Sequence, residues 1–162
     1  MLRSSRLGAA LMLAWLVGAC QSSDLTPEAD RIVGTGQDIV DRGALPLTAA
    51  EIRIYLADAT LSHAGARRVW HVYLGADGTL TGLALADDGG SERNRGAWSV
   101  REDGGSGLIC RQWQQDWAEG ASGCATVYRF GADFVFVPEG SGQTPADDIR
   151  RTRSPGDRYK VL

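Results

Sequence analysis

The sequence contains few residues that bind metals, with two histidines and three cysteines among 162 residues. His63 and His71 lack a third ligand at helical or hairpin spacing, and the cysteines form no C-x-x-C pair. We therefore predict no metal and no cofactor. Basic residues are also fewer than acidic ones, so that the formal net charge is −3. Since phosphate binding needs a basic surface, we expect no nucleic-acid partner.

The chain also lacks an apolar run long enough to cross a bilayer. The run Leu7–Ala19 is shorter than the roughly 20 residues that a membrane-spanning helix needs. It follows MLRSSR, which carries two arginines and no acid. A basic start followed by a short apolar run predicts a signal peptide over residues 1–19 that is removed from the mature protein.

The end of this run carries a first family resemblance. Val17, Gly18 and Ala19 lead into Cys20, and together they resemble the lipobox of bacterial lipoproteins, in which a serine or alanine is commoner than Gly18. The resemblance implies that Cys20 is lipidated and acylated, palmitate being the usual chain, and that its partner is the lipid bilayer. Because Gln21 is not aspartate, it implies an outer-membrane protein facing the periplasm. The alternative is ordinary cleavage that leaves Cys20 as a free thiol.

The two remaining cysteines predict a disulfide. Cys110 and Cys124 lie in the β-prone segments LICRQW and CATVYRF, which the polar loop QQDWAEGASG separates. An even number of cysteines in an exported chain is typical of disulfides, because the periplasm is oxidising. We therefore predict that Cys110 and Cys124 are bonded to each other across two antiparallel strands.

Composition divides the mature chain into three parts. Residues 20–46 mix Gly, Pro, Ser and Asp and predict a lipidated tether. Residues 47–138 predict a globular domain. Residues 139–162 predict a mobile polar tail, in which the segment RYKVL could form an edge strand.

One helix has a clear start signal. Thr48 and Glu51 have the spacing of a capping box, and Leu47 is placed to pack on Ile52 as a hydrophobic staple. The helix is expected to begin directly after Thr48 and to end before Gly65. Its predicted apolar face consists of Ile52, Leu56 and Ala59.

Short β-prone runs with turn residues between them follow the helix. They are RRVWHVYL, TLTGLAL, AWSVR, LICRQW, CATVYRF and FVFVP. The fold class expected from them is α+β, with one helix packed on a curved antiparallel sheet of about six strands, a meander or a partly open barrel. His71 is expected on the face away from the core and His63 in the loop after the helix. The predicted core residues are Trp70, Val72, Leu74, Trp98, Val100, Tyr128 and Phe130.

A second resemblance rests on the order of motifs along residues 47–138. The capping-box helix, VWHVYLGADGTLTG, GAWSV, LICRQW and GCATVYRF follow one another. This order is similar to that of small uncharacterised exported domains of proteobacteria. The resemblance implies a fold and a compartment, and it implies no chemistry.

Residues with catalytic potential do not form a known pattern. Ser122 lies in GASGC, which lacks the G-x-S-x-G spacing of a nucleophile turn. Asp87, Asp88 and Glu92 share one glycine-rich loop, and carboxylates in such a loop are usually solvated. We predict that the protein is not an enzyme, with a hydrolase that uses these carboxylates as the least favoured alternative.

The remaining candidates for ligand binding lie in the loop inside the predicted disulfide. Trp113 and Trp117 flank this loop together with Gln115 and Asp116. A tryptophan beside amide and carboxylate groups suits a flat ligand or a sugar, while core packing is the other interpretation. The sequence therefore predicts a membrane-anchored, non-enzymatic binding domain whose partner is an envelope protein or glycan. The alternative is an inhibitor of a cell-wall hydrolase such as lysozyme, which the chain resembles in size and architecture only.

Overall fold

The computed structural model describes residues 31–34, 40–65, 67–117, 122–140, 146–149 and 151–161. The predicted signal peptide, Cys20, Gln21 and the tether up to residue 30 lie outside the described residues. Helix α1 spans Ala49–Leu56. The strands are β1 Arg31–Gly34, β2 Leu45–Pro46, β3 Ala59–Ala64, β4 Arg68–Leu74, β5 Thr79–Ala86, β6 Ser91–Asp103, β7 Ser106–Trp113, β8 Gly123–Phe130, β9 Asp133–Pro138, β10 Ala146–Ile149 and β11 Arg151–Pro155.

Eight antiparallel strands close into a barrel. Strands β3 to β8 pair in sequence order, β8 pairs with β9, and β11 lies between β9 and β3. Closure is made by β11, in which Thr152 pairs with Ser62 of β3 on one side and with Asp133 of β9 on the other. Strand β2 is an extra strand beside β8, and β1 pairs with β10 in a separate two-stranded sheet.

The expected α+β class with about six strands is wrong, because the chain is mostly β and its sheet closes. The helix is shorter than predicted. Its last residue is Leu56, and Asp58 has a left-handed backbone (φ 52°) that turns the chain away from the helical path. The next residue, Ala59, therefore begins β3 and does not extend the apolar face of the helix.

Part of the segment predicted as a polar tail belongs to the barrel. Residues Arg151–Pro155 form its closing strand, and the chain beyond them packs on the outside of β3 and β4. Val161 is buried there, and its N–H donates to the Asp157 carboxylate over 2.7 Å. Likewise, residues Leu45–Pro46 of the predicted tether pair with β8.

Helix α1 closes one end of the barrel, and its predicted capping box is confirmed. The Glu51 N–H donates to Thr48 Oγ1 over 3.3 Å, and the Thr48 N–H donates to Glu51 Oε2 over 2.8 Å. Ile52 and Leu56 are fully buried beneath the helix. The contact with β7 is close, since a Cβ built on Gly107 would lie 2.7 Å from Ile52 Cδ1.

The interior of the barrel is apolar at the α1 end. Of the predicted core residues, Val72, Leu74 and Trp98 are buried in the barrel interior, and Trp70 and Val100 pack half-buried against other parts of the same core. The predicted face of β8 is wrong. Ala125 and Val127 point into the core, whereas Tyr128 and Phe130 pack on a smaller cluster. That smaller cluster consists of Ala44, Val135 and Val137.

The predicted disulfide is present in the structure. Cys110 on β7 pairs directly with Cys124 on β8, and their Cα atoms are 3.9 Å apart. The bond therefore joins neighbouring barrel strands and encloses the loop that carries Trp117.

Candidate functional site

The end of the barrel opposite α1 carries charged and aromatic side chains. Strand β3 begins shortly after α1, and Gly107, the second residue of β7, lies against α1. Both strands therefore lead away from the helix, and their last inward side chains meet at the opposite end. We name this group the mouth cluster. It consists of His63, Trp70, Arg111, Trp113, Trp117, Phe136 and Arg151.

Two arginines of the mouth cluster share one aromatic ring. The guanidinium carbon of Arg151 lies 4.5 Å from the centroid of the Phe136 ring, and that of Arg111 lies 5.6 Å from the same centroid. Arg151 is only 6% exposed, and Arg111 is half-buried. Arginine remains charged even when it is buried. The mouth of the barrel therefore contains two positive charges held by a cation–π stack.

His63 lies inside the barrel and not in a loop as predicted. Its ring stacks on Trp70 with 4.7 Å between centroids and 17° between planes, and the residue is 6% exposed. Burial first, and then the charges of Arg151 and Arg111, lower the pKa of His63 from 6.5 to about 3. His63 is therefore neutral in the folded protein at neutral pH, and both arginines lie close enough to act on it.

The four candidate ligand-binding residues divide between two environments. Trp113 and Trp117 are buried at 7% and 6% exposure, and their rings meet edge to face at 4.7 Å. The side chains of Gln115 and Asp116 are exposed on the outside of the loop. The buried Asn94 side chain donates to the Gln115 carbonyl over 2.9 Å and ties this loop to β6. The tryptophans thus face the barrel interior, away from the two polar side chains.

The indole N–H groups of the mouth cluster differ in their hydrogen bonding from the indole N–H group of Trp98 at the α1 end. Trp98 Nε1 donates to the Gly75 carbonyl over 2.9 Å. The buried Nε1 atoms of Trp70, Trp113 and Trp117 have no hydrogen-bond acceptor within the part of the chain that the structure describes. A buried tryptophan N–H usually has a partner, and an unsatisfied donor costs about 1–3 kcal/mol. Three such donors at one end of one barrel are therefore available to acceptor atoms other than those of the described residues.

Neither arginine of the mouth cluster was predicted from the sequence, although the alternation pattern of β7 indicates that Arg111 points inward. Alternation in LICRQW places Ile109, Arg111 and Trp113 on the same face of β7. An arginine between two apolar core residues on one strand face is unusual and marks a charged interior position. Arg151 carries no such signal, because IRRTRS is polar on both faces.

The other polar residues considered from the sequence have local structural contacts. Ser122 Oγ accepts the Trp113 N–H over 2.9 Å. Asp88 accepts the Gly90 N–H over 2.9 Å, and Glu92 forms an exposed salt bridge with Arg68 at 3.1 Å. These contacts shape turns and the barrel rim.

His71 and the disulfide lie on the outer surface of the barrel wall. His71 is buried between Ser62, whose hydroxyl is 2.8 Å from Nδ1, and the Tyr159 ring, whose centroid is 3.7 Å from that of the imidazole. A shallow depression of about 410 Å³ lies beside the disulfide, and the residues that line it include Ser99, Arg111 and Gln112. The indole donors that lack an acceptor among the described residues lie in the mouth cluster and at neither of these places.

Comparisons with known proteins return no match, whether with protein-family models, with curated proteins or with solved structures. In the described residues, no helix has the length and apolar character needed to cross a membrane.

Proposed function

We propose that the protein is a lipid-anchored lipoprotein of the bacterial envelope whose barrel binds a ligand at the mouth cluster without catalysing its conversion. The observation that carries the proposal is the set of three buried indole N–H groups for which the described residues provide no acceptor. Buried donors without partners are costly in a folded protein, and a bound ligand would supply the acceptors that these donors need. The interior of an eight-stranded barrel is just wide enough to be filled by side chains or to hold one small ligand, and the apolar core leaves only the mouth for a ligand.

The chemistry of the mouth cluster supports binding. Its members are aromatic rings, two guanidinium groups and an imidazole that stays neutral because its pKa is lowered. Guanidinium groups remain protonated and aromatic rings do not react, so these groups bind and orient a ligand.

The anchor rests on the sequence of residues 17–20. We expect the mature chain to begin at Cys20, to carry acyl groups and to sit in the outer membrane facing the periplasm. The ligand or partner would then come from the envelope, as a small molecule, a protein or a glycan.

Intact mass of the chain purified from bacterial membranes tests the anchor. We expect an amino terminus at Cys20 that carries acyl mass, together with a gain of two hydrogens on reduction of the Cys110–Cys124 bond. A Cys20→Ala variant should lack the acyl mass and leave the membrane fraction. An unacylated wild-type chain would contradict the proposed anchor and leave the binding function as a separate question.

Sorting is tested by a single substitution next to the anchor. In an enteric host, Gln21→Asp should move the lipoprotein from the outer to the inner membrane fraction, whereas Gln21→Asn should leave it in the outer membrane. Equal distribution of both variants would contradict outer-membrane sorting by this residue.

The alternative function, inhibition of a cell-wall hydrolase, makes a different prediction. It requires that the added protein slow the lysis of peptidoglycan by lysozyme in a turbidity assay. Ligand binding at the mouth cluster does not require any effect on lysozyme. An unchanged rate of lysis would therefore favour the ligand-binding function over the inhibitor.

A further inference from the structure

We propose that residues 156–161 form a clasp on the outer wall of the barrel and that this clasp opens when His71 binds a proton. The clasp follows the closing strand β11, and its Tyr159 ring covers His71 from outside. The proposal goes beyond ligand binding at the mouth cluster and does not depend on the lipid anchor. The contacts of the clasp, the burial of His71 and the charges around it support the proposal.

Hydrogen bonds hold both ends of the clasp on the barrel wall. At its start, the Gly156 N–H donates to the Asp58 carbonyl over 2.8 Å, and the Gly156 carbonyl accepts from the Thr60 hydroxyl over 2.7 Å. At its end, Arg93 Nη1 donates to the Val161 carbonyl over 3.0 Å. The clasp therefore crosses the outside of the barrel from β3 to β6.

His71 lies under the middle of the clasp. Its ring stacks on the Tyr159 ring with 3.7 Å between centroids and 20° between planes, and Ser62 Oγ lies 2.8 Å from its Nδ1. Leu83, on the outward face of β5, pairs with His71 on one side and with Arg93 on the other. The clasp passes over Leu83 between these two contacts, which accounts for an exposure of only 6% on an outward face. Opening of the clasp would therefore bring His71 and Leu83 into contact with water.

Burial makes a proton on His71 unfavourable while the clasp is closed. The residue is 5% exposed, and loss of water around the imidazole lowers its pKa below the ordinary value of 6.5. In the open clasp, water reaches the ring and the ordinary pKa returns. A fall in pH below 6.5 therefore favours the open clasp, which binds a proton that the closed clasp does not. Above this pH, His71 is neutral in both forms and the closed clasp is at its most stable.

The charges around His71 are of both signs. Strands β3 and β5 present the uncharged Ser62 and Leu83 to it. On its own strand, Tyr73 donates to the Asp58 carboxylate over 2.8 Å, which raises the pKa of Tyr73 to about 12 and keeps the phenol neutral. The charged side chains of β6 and of the clasp are those of Arg93, Asp157, Arg158 and Lys160. Burial is therefore the main effect on the pKa of His71.

Two further groups bear on a proton at His71. His63, on the inner face of β3, has a pKa of about 3 and so carries no charge at the pH at which the clasp opens. The Tyr159 ring attracts an imidazolium, and this attraction opposes opening. That ring already has the Arg158 guanidinium carbon 6.0 Å from its centroid, so a protonated His71 would add a second positive charge beside it. We therefore expect the effect of burial to prevail.

Hydrogen exchange measured by mass spectrometry on the full chain, in nonionic detergent, tests the clasp. The peptide of interest contains Val161, whose N–H donates to the Asp157 carboxylate in the closed clasp. After correction for intrinsic exchange, its protection should fall by up to about tenfold per pH unit between about pH 6.5 and about pH 5. Peptides from β7 should keep their protection over the same range, because the opening is local.

Two variants without a titrating group at position 71 identify the residue responsible. His71→Phe keeps an aromatic ring against Tyr159, and His71→Gln keeps a polar side chain beside Ser62. Both should remove the pH dependence of clasp exchange. His63→Gln is the matched control, because it removes the other buried histidine and should leave this pH dependence unchanged. If His71→Gln leaves the clasp open at every pH, His71→Phe carries the test.

Three outcomes would overturn the proposal. The first is clasp exchange in the parent chain that does not depend on pH once intrinsic exchange is corrected. The second is a pH dependence that persists in His71→Phe. The third is a pH dependence that disappears in His63→Gln, because acid would then open the clasp through unfolding of the whole barrel. None of these outcomes would alter the proposed ligand binding, which is tested separately.

Discussion

Gly82→Ala tests whether Trp117 lies inside the barrel. Gly82 lies on β5 and faces the interior of the barrel. A Cβ built on it would lie 2.2 Å from Cη2 and 2.4 Å from Cζ3 of the Trp117 ring. Normal contacts between carbon atoms are about 3.5–4.0 Å, so the indole ring has to move by more than 1 Å. Trp117 is buried and in edge-to-face contact with Trp113, which restricts that movement.

The free energy of unfolding is expected to fall in this variant. Overpacking a core costs about 1–3 kcal/mol, and the reduced freedom of the unfolded chain returns about 0.4–1 kcal/mol when alanine replaces glycine. The expected net loss is therefore about 1–2 kcal/mol. Gly123→Ala is the matched control on β8, because its Cβ would meet no atom within 4 Å. We expect that control to be neutral or more stable by about 0.5 kcal/mol.

Urea unfolding followed by circular dichroism measures both variants against the parent chain. The midpoint for Gly82→Ala should fall with little change in the slope, and its tryptophan emission should shift because the Trp117 environment changes. A Gly82→Ala protein as stable as the Gly123→Ala protein, with unchanged emission, would refute the placement of Trp117 against β5.

The other predictions concern the disulfide, the pH dependence of stability and the helix cap. Replacing Cys110 and Cys124 by alanine should lower the free energy of unfolding by about 3 kcal/mol, the entropy of closing a 15-residue loop, and an unchanged urea midpoint would contradict this. Because the pKa of His63 falls from 6.5 to about 3 on folding, the unfolded chain gains a proton that the folded chain does not. His63 should therefore lower stability by about 1.4 kcal/mol per pH unit between pH 6.5 and about pH 3, and a His63→Gln variant should show a shallower loss in thermal melts. Thr48→Ala should cost about 1 kcal/mol in urea unfolding through loss of the cap to Glu51, and Thr48→Ser should retain most of that stability.

Features with local signals could be predicted from the sequence. The capping box of Thr48 and Glu51 depends on residues three positions apart, and it forms as expected. The Cys110–Cys124 disulfide was predictable because the two strands that carry it are consecutive. In both cases the groups that interact are close along the chain.

Closure of the barrel could not be predicted, because it depends on a pairing between distant residues. Strand β11 is polar in sequence, and its position between β3 and β9 is set by backbone hydrogen bonds on both sides. Strand β3 was not predicted, because Ala59 continues the helical spacing of Ile52 and Leu56. Only the backbone turn at Asp58 separates helix α1 from β3.

The inward face of β8 could not be predicted from the sequence for a different reason. Val127 and Tyr128 are neighbours, so both faces of this strand carry large apolar side chains. Alternation shows which residues share a face and does not show which face points inward when both are apolar. The larger aromatic side chains suggested the wrong face, because the outer surface of β8 has its own apolar cluster with Val135 and Val137.

The mouth cluster was only partly visible in the sequence. Trp113 and Trp117 were recognised as candidates, and their burial inside the barrel required knowledge of how the loop folds over the end. Arg151 comes to the site on the closing strand, so its role depends on the same distant pairing that closes the barrel.

That late closing strand has a consequence for how the chain is made. A ribosome that has not yet released residues 151–155 leaves β3 and β9 as two open sheet edges. Open edges are templates for pairing with other chains, so nascent or shortened chains should associate with one another, whereas a chain that includes β11 has both edges paired. Loss of the segment from Arg151 onward would therefore leave an aggregation-prone sheet, and a truncation there is more damaging than one that removes a polar segment outside the barrel.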